Sequence, residues 1–314
     1  MSRSPGATVG GQAVIEGVMM RAPDAWAVAV RRPDGVIEAK RNDLPALTTR
    51  NRWARVPFIR GIFVLAESLS LGFRALSWSA QRAGDEDEEI GRREIFFTMV
   101  IAVVAALGIF VLGPAFAANW VKDLVGGNAL AFVIIDGVLR IVLVVAYIWL
   151  IGRNPDIQRV FQYHGAEHKT IHAYENGDPL DIASIQVYSP RHPRCGTSFI
   201  IIVAMVSFVV FLTLAPLPFV WQILARILLI PVIAGLSYEI LRSAAGSPWL
   251  AWASRPGIWI QSITTKEPDD RQVEVAVASL LAALDPQQVD EVRARGDIDP
   301  GALAAEFDLG DRDG

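Results

Sequence analysis

The sequence predicts a mainly α-helical, multi-pass membrane protein with four transmembrane helices, a small N-terminal β unit and a cytosolic loop rich in histidine. Two observations support this fold class. Hydrophobic residues make up 52% of the 314 positions, and the mean hydropathy is +0.35. Four apolar segments also reach the ~20 residues that a helix needs to cross a bilayer. These segments are residues 95–118, 129–151, 195–215 and 217–236.

The distribution of lysine and arginine predicts the orientation of these spans. Arg92 and Arg93 precede the first span, five basic residues separate the second span from the third, and three more occur in residues 237–266. The other two connections contain only Lys122. We therefore expect the N-terminus, the histidine-rich loop and the C-terminus to be cytoplasmic. The net charge of −4 gives no indication of nucleic-acid binding, so the expected partners are the lipid bilayer and either other membrane proteins or a second copy of the chain.

The chain divides into units by composition. Residues 1–56 should form the small β unit, because apolar residues alternate on both sides of Pro33-Asp34-Gly35, a turn signal between two strands. Residues 57–84 predict an amphipathic helix in the membrane interface. The remaining units are an acidic linker (85–94), spans one and two (95–151), the cytosolic histidine-rich loop (152–194), spans three and four (195–236), an interfacial segment with an amphipathic helix (237–284) and an acidic tail (285–314).

Charged residues inside the predicted spans need partners, because a lone charge is costly in a bilayer. Asp136 and Arg140 are four residues apart and share one helix face. At a rise of ~1.5 Å per residue, Asp136 and Arg226 lie at similar depth. We therefore expect the Asp136 carboxylate to bridge two arginines and to join helices, and too few intramembrane polar groups remain to suggest a transport pathway.

Three of the four histidines recur at intervals of four, at His164, His168 and His172, and would share one face of a helix. Neighbouring pairs lie about 6 Å apart along the axis, so either pair could chelate one ion, whereas His164 and His172 are ~12 Å apart. The remaining ligands must come from elsewhere. His192 and Cys195 are the nearest suitable candidates. The clustering predicts a divalent metal site, with zinc favoured by nitrogen and sulfur ligands.

The same segment contains H-x-x-E-H (His164, Glu167, His168), the inverted zincin order, in which the glutamate activates a water. The leading functional hypothesis is metal-dependent hydrolysis near the membrane surface. Glu167 or Glu175 would accept the proton of the water, and Arg194 would stabilise an anionic intermediate. Two alternatives remain open: a structural metal in a non-catalytic assembly or scaffolding protein, and a polar helix whose histidines bind nothing.

Four motifs carry a resemblance: GGQAVIEGVMMR (10–21), YHGAEHKTIHAYE (163–175), HPRCGTSF (192–199) and TTKEPDD (264–270). In this order, around apolar spans, they resemble the YqhQ-like family of bacterial membrane proteins (domain of unknown function 1385) over residues 10–284. The resemblance implies a protein of the bacterial inner membrane and a metal-dependent enzyme. It points to His164, Glu167, His168, His172, Glu175, His192, Arg194 and Cys195, and to Glu16 and Arg21 in the first motif.

The predicted topology can be tested by a cysteine-accessibility scan. Cysteines introduced at positions 156–189 should react with an impermeant reagent only from the cytoplasmic side, because the basic residues lie on alternate connections. Labelling from outside the cell would overturn the cytosolic placement of the histidine-rich loop.

Overall fold

The computed structural model describes residues 9–44, 52–84, 92–121, 129–193, 195–214, 216–246 and 255–308, and most of this part of the chain is helical. Its strands are β1 (Gly10–Val14), β2 (Gly17–Arg21), β3 (Ala25–Arg31), β4 (Ile37–Asp43) and β5 (Glu306–Asp308). Its helices up to the histidine-rich segment are α1 (Ile59–Ala83), α2 (Arg92–Leu107), α3 (Gly113–Val121), α4 (Ala129–Ile151) and α5 (Pro155–Asn176). The later helices are α6 (Ile182–Gln186), α7 (Thr197–Leu214), α8 (Phe219–Leu228), α9 (Ile230–Gly246), α10 (Arg255–Thr264), α11 (Asp270–Ala283), α12 (Pro286–Arg295) and α13 (Pro300–Leu303). A 3-10 turn, Arg52–Arg55, precedes α1.

The N-terminal residues form an antiparallel meander in which β1 to β4 pair in sequence order. The predicted hairpin around Pro33-Asp34-Gly35 is present, and Gly35 adopts the positive φ of 90° that the turn requires. Both faces of the sheet are buried. Helices α5 and α11 cover one face, and α1 covers the other.

The side chains of β2 alternate between two hydrophobic cores, one on each face of the sheet. Val18 and Met20 point to the core shared with α5 and α11, whereas Met19 points to the core shared with Leu71 and Ala75 of α1. Successive strand residues face opposite sides, so a strand covered on both sides is apolar throughout. The predicted amphipathic helix before residue 284 is α11, which begins with a capping box between Asp269 and Gln272.

Residues 286–308, within the predicted acidic tail, form two helices and a strand. Helix α12 buries Val292, α13 buries Ala302, and β5 adds to the sheet as a parallel neighbour of β4. The sequence gives little sign of this strand, because a three-residue strand is too short for an alternating pattern. In the predicted linker, residues 85–91 lie outside the described part of the chain.

Within the described part of the chain, three helical segments are long and apolar enough to cross a membrane: Val100–Val121, Leu130–Ile151 and Thr197–Leu214. The predicted fourth span is not one straight helix, because α8 and α9 meet at a bend of 53°. Pro231 is the second residue of α9. A proline there cannot donate to the carbonyl four residues earlier, and its ring crowds that carbonyl, which explains the break. The pair counts as a fourth span only if the bent helices cross together.

A second proline shapes the first apolar segment. Residues Gly108–Leu112 form a π-helical turn between α2 and α3, and Pro114 cannot donate to the Phe110 carbonyl four residues before it. Arg140 of α4 donates to this carbonyl, with its Nη1 2.9 Å from the oxygen. A side chain from the neighbouring helix therefore satisfies an acceptor that the proline leaves open.

The predicted bridging of Asp136 is confirmed. Arg226 Nη1 donates to Asp136 Oδ1 at 3.0 Å, and Arg140 Nη2 lies 3.3 Å from each of its carboxylate oxygens. The Asp136 and Arg226 side chains are each 1% exposed. The guanidinium of Arg226 also lies over the ring of Phe211, 4.6 Å from its centroid. These contacts join α4 to α8 and α7.

Removing the carboxylate should destabilise the helix bundle strongly. We expect Asp136→Ala to lower the free energy of unfolding in detergent by about 3–5 kcal/mol, because two buried guanidinium groups lose their counter-charge. Val142→Ala, on an exposed position of the same helix, is the control and should change it much less. Equal effects from the two substitutions would show that the bridge is unimportant for stability.

Candidate metal centre

Helix α5 carries most of the predicted site residues, and its ends are well defined. The Asn154 side chain accepts hydrogen bonds from the backbone N–H groups of Asp156 and Ile157, and Pro155 occupies the first turn. Gly177 ends the helix in the left-handed conformation, with φ 76°. The histidine-rich segment is thus a continuous helix packed on the sheet, so its histidines lie on successive turns as the spacing of four predicted.

The structure brings together His164, His168 and Cys195. One ligand atom from each residue can be chosen so that all three lie within 4.8 Å of one another. His164 Nε2 lies 3.2 Å from Cys195 Sγ, and the two imidazole centroids are 4.4 Å apart. Ligands of a tetrahedral zinc ion are separated by about 3.5 Å, given bond lengths of ~2.0–2.3 Å. The three residues could therefore hold a metal ion after small side-chain movements.

Backbone carbonyl groups fix the orientation of both imidazoles. His164 Nδ1 lies 2.8 Å from the Thr264 oxygen, and His168 Nδ1 lies 2.6 Å from the Pro190 oxygen. A carbonyl can only accept, so each Nδ1 carries a proton, and in the neutral imidazole Nε2 is then the nitrogen with the lone pair. This arrangement is typical of histidines that bind a metal through Nε2.

Burial shifts the pKa values of several ionisable groups in and around the site. Burial lowers the pKa of His168 to about 2 and that of His192 to about 4, so both imidazoles are neutral at pH 7. Burial likewise raises the pKa of the Cys195 thiol. A cation bound nearby would reverse the effect on the thiol, because it favours the thiolate.

Glu167 is 4% exposed and approaches the first strand closely. Burial raises its pKa to about 8, which the backbone N–H of Gly11 and the nearby His164 partly oppose. A Cβ atom at Gly11 would lie 3.0 Å from the Glu167 carboxylate and 2.6 Å from the Met19 carbonyl. Gly11 is therefore needed for the approach of β1 to this carboxyl group. Gly11 lies within a strand and serves close packing rather than a turn.

The other two predicted ligands lie beside the group of three. His172 Nε2 donates to the Arg191 carbonyl at 3.0 Å, and its ring stacks on Tyr188. His192 Nε2 lies 3.5 Å from the carboxylate of Glu175. The rings of His172 and His192 are 4.4 Å apart.

The other residues that the sequence singled out are Arg194, Glu16 and Arg21. Arg194 lies outside the described residues. In the first motif, Glu16 forms an ion pair with Arg159, and Arg21 forms one with Glu67 of α1 at 2.5 Å. These two pairs tie the sheet to α5 and to α1.

A cavity of about 420 Å³ opens beside the three candidate ligands. Its walls include β1, the first turn of α7 and the Thr264 segment. The lining contains the candidate ligands, Glu167 and His192. A small molecule in this cavity could thus reach both the metal position and the Glu167 carboxyl group.

Sequence reasoning missed the groups that position the ligands. The carbonyl groups of Thr264 and Pro190 were not predicted, since any residue supplies a carbonyl. Gly165 was also missed. A Cβ atom there would lie 2.0 Å from the Lys266 carbonyl, so the Thr264–Lys266 backbone can reach α5 only at a glycine. The TTKEPDD motif contains Thr264, so it pointed to this segment but not to the role of its carbonyl group.

Comparison with known proteins gives two matches. The profile of the family described as "Protein of unknown function (DUF1385)" matches residues 56–286. The chain is 36% identical over 290 residues to "Uncharacterized protein YqhQ" of Bacillus subtilis (strain 168), covering 86% of this chain and 90% of that protein. No solved structure matches. Because the family profile covers well over half of the chain, the protein belongs to the DUF1385 family.

Proposed function

We propose that the protein is a metal-dependent hydrolase of the bacterial inner membrane, with its site on the cytoplasmic side. One observation carries this proposal: the ligand atoms of His164, His168 and Cys195 converge in a cavity that the Glu167 carboxyl group also lines. Structural zinc sites usually have four protein ligands, whereas catalytic sites have three and keep one position open. A group of three that faces a cavity therefore favours catalysis.

The donor set suits zinc best among the common divalent ions. Imidazole nitrogen and thiolate sulfur are borderline and soft ligands, which magnesium and calcium bind poorly. His164 Nε2 and His168 Nε2 keep their lone pairs because the other nitrogen of each ring faces a backbone carbonyl. These residues would hold the ion, and the carbonyls of Thr264 and Pro190 would maintain the ring orientations.

In the proposed reaction, Glu167 acts as the general base. A zinc ion, when bound, supplies Lewis-acid chemistry that makes water more acidic and polarises the substrate. As the carboxylate, which a neighbouring cation favours over the protonated form, Glu167 removes a proton from the water, whose oxygen forms a bond to the electrophilic atom of the substrate. The bond to the leaving group breaks, and Glu167 returns the proton to that group. Glu175 is a weaker candidate for the base, because its carboxylate lies against His192. Arg194 remains a proposed stabiliser of the anionic intermediate.

The location of the site supports action near the membrane surface. Cys195 lies two residues before α7, one of the helices that could cross a membrane. Helix α1 exposes several large apolar side chains, including Leu69 and Phe73, which suits a helix in the membrane interface. With the predicted orientation, the sheet and the metal position are cytoplasmic, and the lipid bilayer is the immediate partner.

A non-catalytic assembly or scaffolding role is the second candidate. An ion held by α5 and by Cys195 would tie the sheet domain to the start of α7, which favours a structural function. The two candidates differ in what they require of Glu167, since a structural ion needs no general base.

The proposed ligand set predicts which histidine is dispensable for metal binding. His168→Ala should remove most of the zinc from the purified protein, measured by elemental analysis, because His168 belongs to the group of three. His172→Ala, on the next turn of the same helix, is the matched control and should keep its zinc. Full zinc occupancy in His168→Ala would refute the proposed ligand set.

The role of Glu167 separates catalysis from assembly. Glu167→Gln should keep its zinc and its melting temperature but fail to complement a deletion strain, because the amide has nearly the same volume and cannot accept the proton. Glu175→Gln, the same change on the same helix, is the control and should complement. Normal complementation by a folded, zinc-loaded Glu167→Gln protein would exclude Glu167 as the base and favour the assembly role.

A further inference from the structure

A second cavity lies next to the cavity that His164, His168 and Cys195 line, which we call the metal cavity. The second cavity is larger and mostly apolar, and we call it the apolar cavity. Its volume is about 710 Å³, within the range of roughly 300–1,000 Å³ that is common for ligand sites. Its walls come from β1, α1, the start of α7 and α9. Val64, Leu65 and Phe73 of α1 line it, as do Phe199 of α7 and Leu241 of α9.

The two cavities share a wall in which three of the six shared residues are glycine. Both are lined by residues 10–13 of β1, by Gly196 and by Ile200. A Cβ atom built at Gly10 or at Gly196 would meet no atom within 4 Å. Open space therefore surrounds two of the shared residues, and a ligand could extend from the metal position into the apolar cavity.

The apolar cavity continues in two directions. A third cavity of about 320 Å³, between the apolar helices, shares Leu65, Phe199 and Ile200 with it. The apolar cavity also reaches the surface, because Leu69, Phe73 and Leu76 of α1 line it and are partly exposed. These side chains are 54%, 37% and 43% exposed, respectively. On a helix in the membrane interface, this opening would face lipid rather than water.

We propose that the substrate of the hydrolase is a membrane amphiphile whose hydrocarbon chain occupies the apolar cavity and whose polar group reaches His164, His168 and Glu167. This inference rests on the proposed function and adds the class of substrate. An apolar cavity beside one that holds the candidate metal ligands and Glu167 matches a molecule with one hydrophobic and one polar end. Its opening between exposed apolar residues of α1 gives such a molecule a route from the bilayer without passage through water.

Photocrosslinking tests the cavity directly. Cells that express the protein are fed palmitic acid that carries a mid-chain diazirine and an alkyne, and they are then irradiated. The protein is purified, and its crosslinked peptides are mapped. The chain should crosslink to residues 10–14 of β1, which form the cavity wall and belong to the sheet. Crosslinks on exposed positions of α1 report the surrounding lipid and serve as an internal reference.

A matched pair of substitutions on α1 gives the control. Ser68 lines the cavity, and Ser70 is exposed. Ser68→Trp should reduce crosslinking to β1 by about tenfold, since losing even two buried methylene groups changes binding by roughly that factor. Ser70→Trp should leave it unchanged. If Ser68→Trp lowers the melting temperature, the smaller Ser68→Leu replaces it.

The outcomes separate this inference from the hydrolase proposal. If β1 is not crosslinked, or if the two tryptophan variants behave alike, the cavity does not hold a lipid chain, whatever Glu167→Gln does. If Ser68→Trp loses the crosslink but complements a deletion strain as well as Ser70→Trp, the bound lipid is not the substrate. The inference requires that Ser68→Trp lose both the crosslink to β1 and the ability to complement the deletion strain. His168→Ala should still crosslink, because the apolar cavity does not depend on the metal.

Discussion

Helix α5 can hold the candidate site because other backbones approach it very closely at two places. At Gly165, the Lys266 carbonyl occupies the space that any side chain would need. At Glu167, strand β1 comes close through Gly11. Dense packing of this kind restricts the movement of the α5 side chains that lie between these two contacts. The first approach brings the Thr264 carbonyl to His164, and the second sets the Glu167 carboxyl group beside the cavity. The site therefore depends on α5 contacting the N-terminal and C-terminal parts of the chain together.

Local sequence signals predicted much of this arrangement. The turn at Gly35 follows from a short-range rule of conformation, and the pairing of Asp136 with Arg226 follows from helix depth. The spacing of four predicted that His168 could pair with either neighbour. It could not select His164, because that selection depends on where Cys195 lies after α7 has packed.

Features that depend on tertiary contacts were not predictable in the same way. The bend between α8 and α9 reflects Pro231, but a proline within an apolar run also occurs in helices that cross a membrane without a break. Strand β5 forms because β4 offers a free edge to a short segment of low intrinsic preference. The carbonyl groups that orient the histidines have no chemical signature in the sequence, because every residue has one, although Thr264 lies within a motif. For β5 and for these carbonyl groups, the information lies in the neighbouring element and not in the segment itself.

The pairing of β4 with β5 has a consequence for the order of events during synthesis. The first four strands leave the ribosome early, and α5, α11 and β5 follow only after the apolar helices between them. Until then, the face of the meander that α5 and α11 cover lacks part of its cover, and β5 has not yet paired with the outer edge of β4. The metal position also lacks the Thr264 carbonyl until that late segment arrives. The site can thus be completed only after the long apolar helices have been made, so a chain truncated before Thr264 would not carry an assembled site.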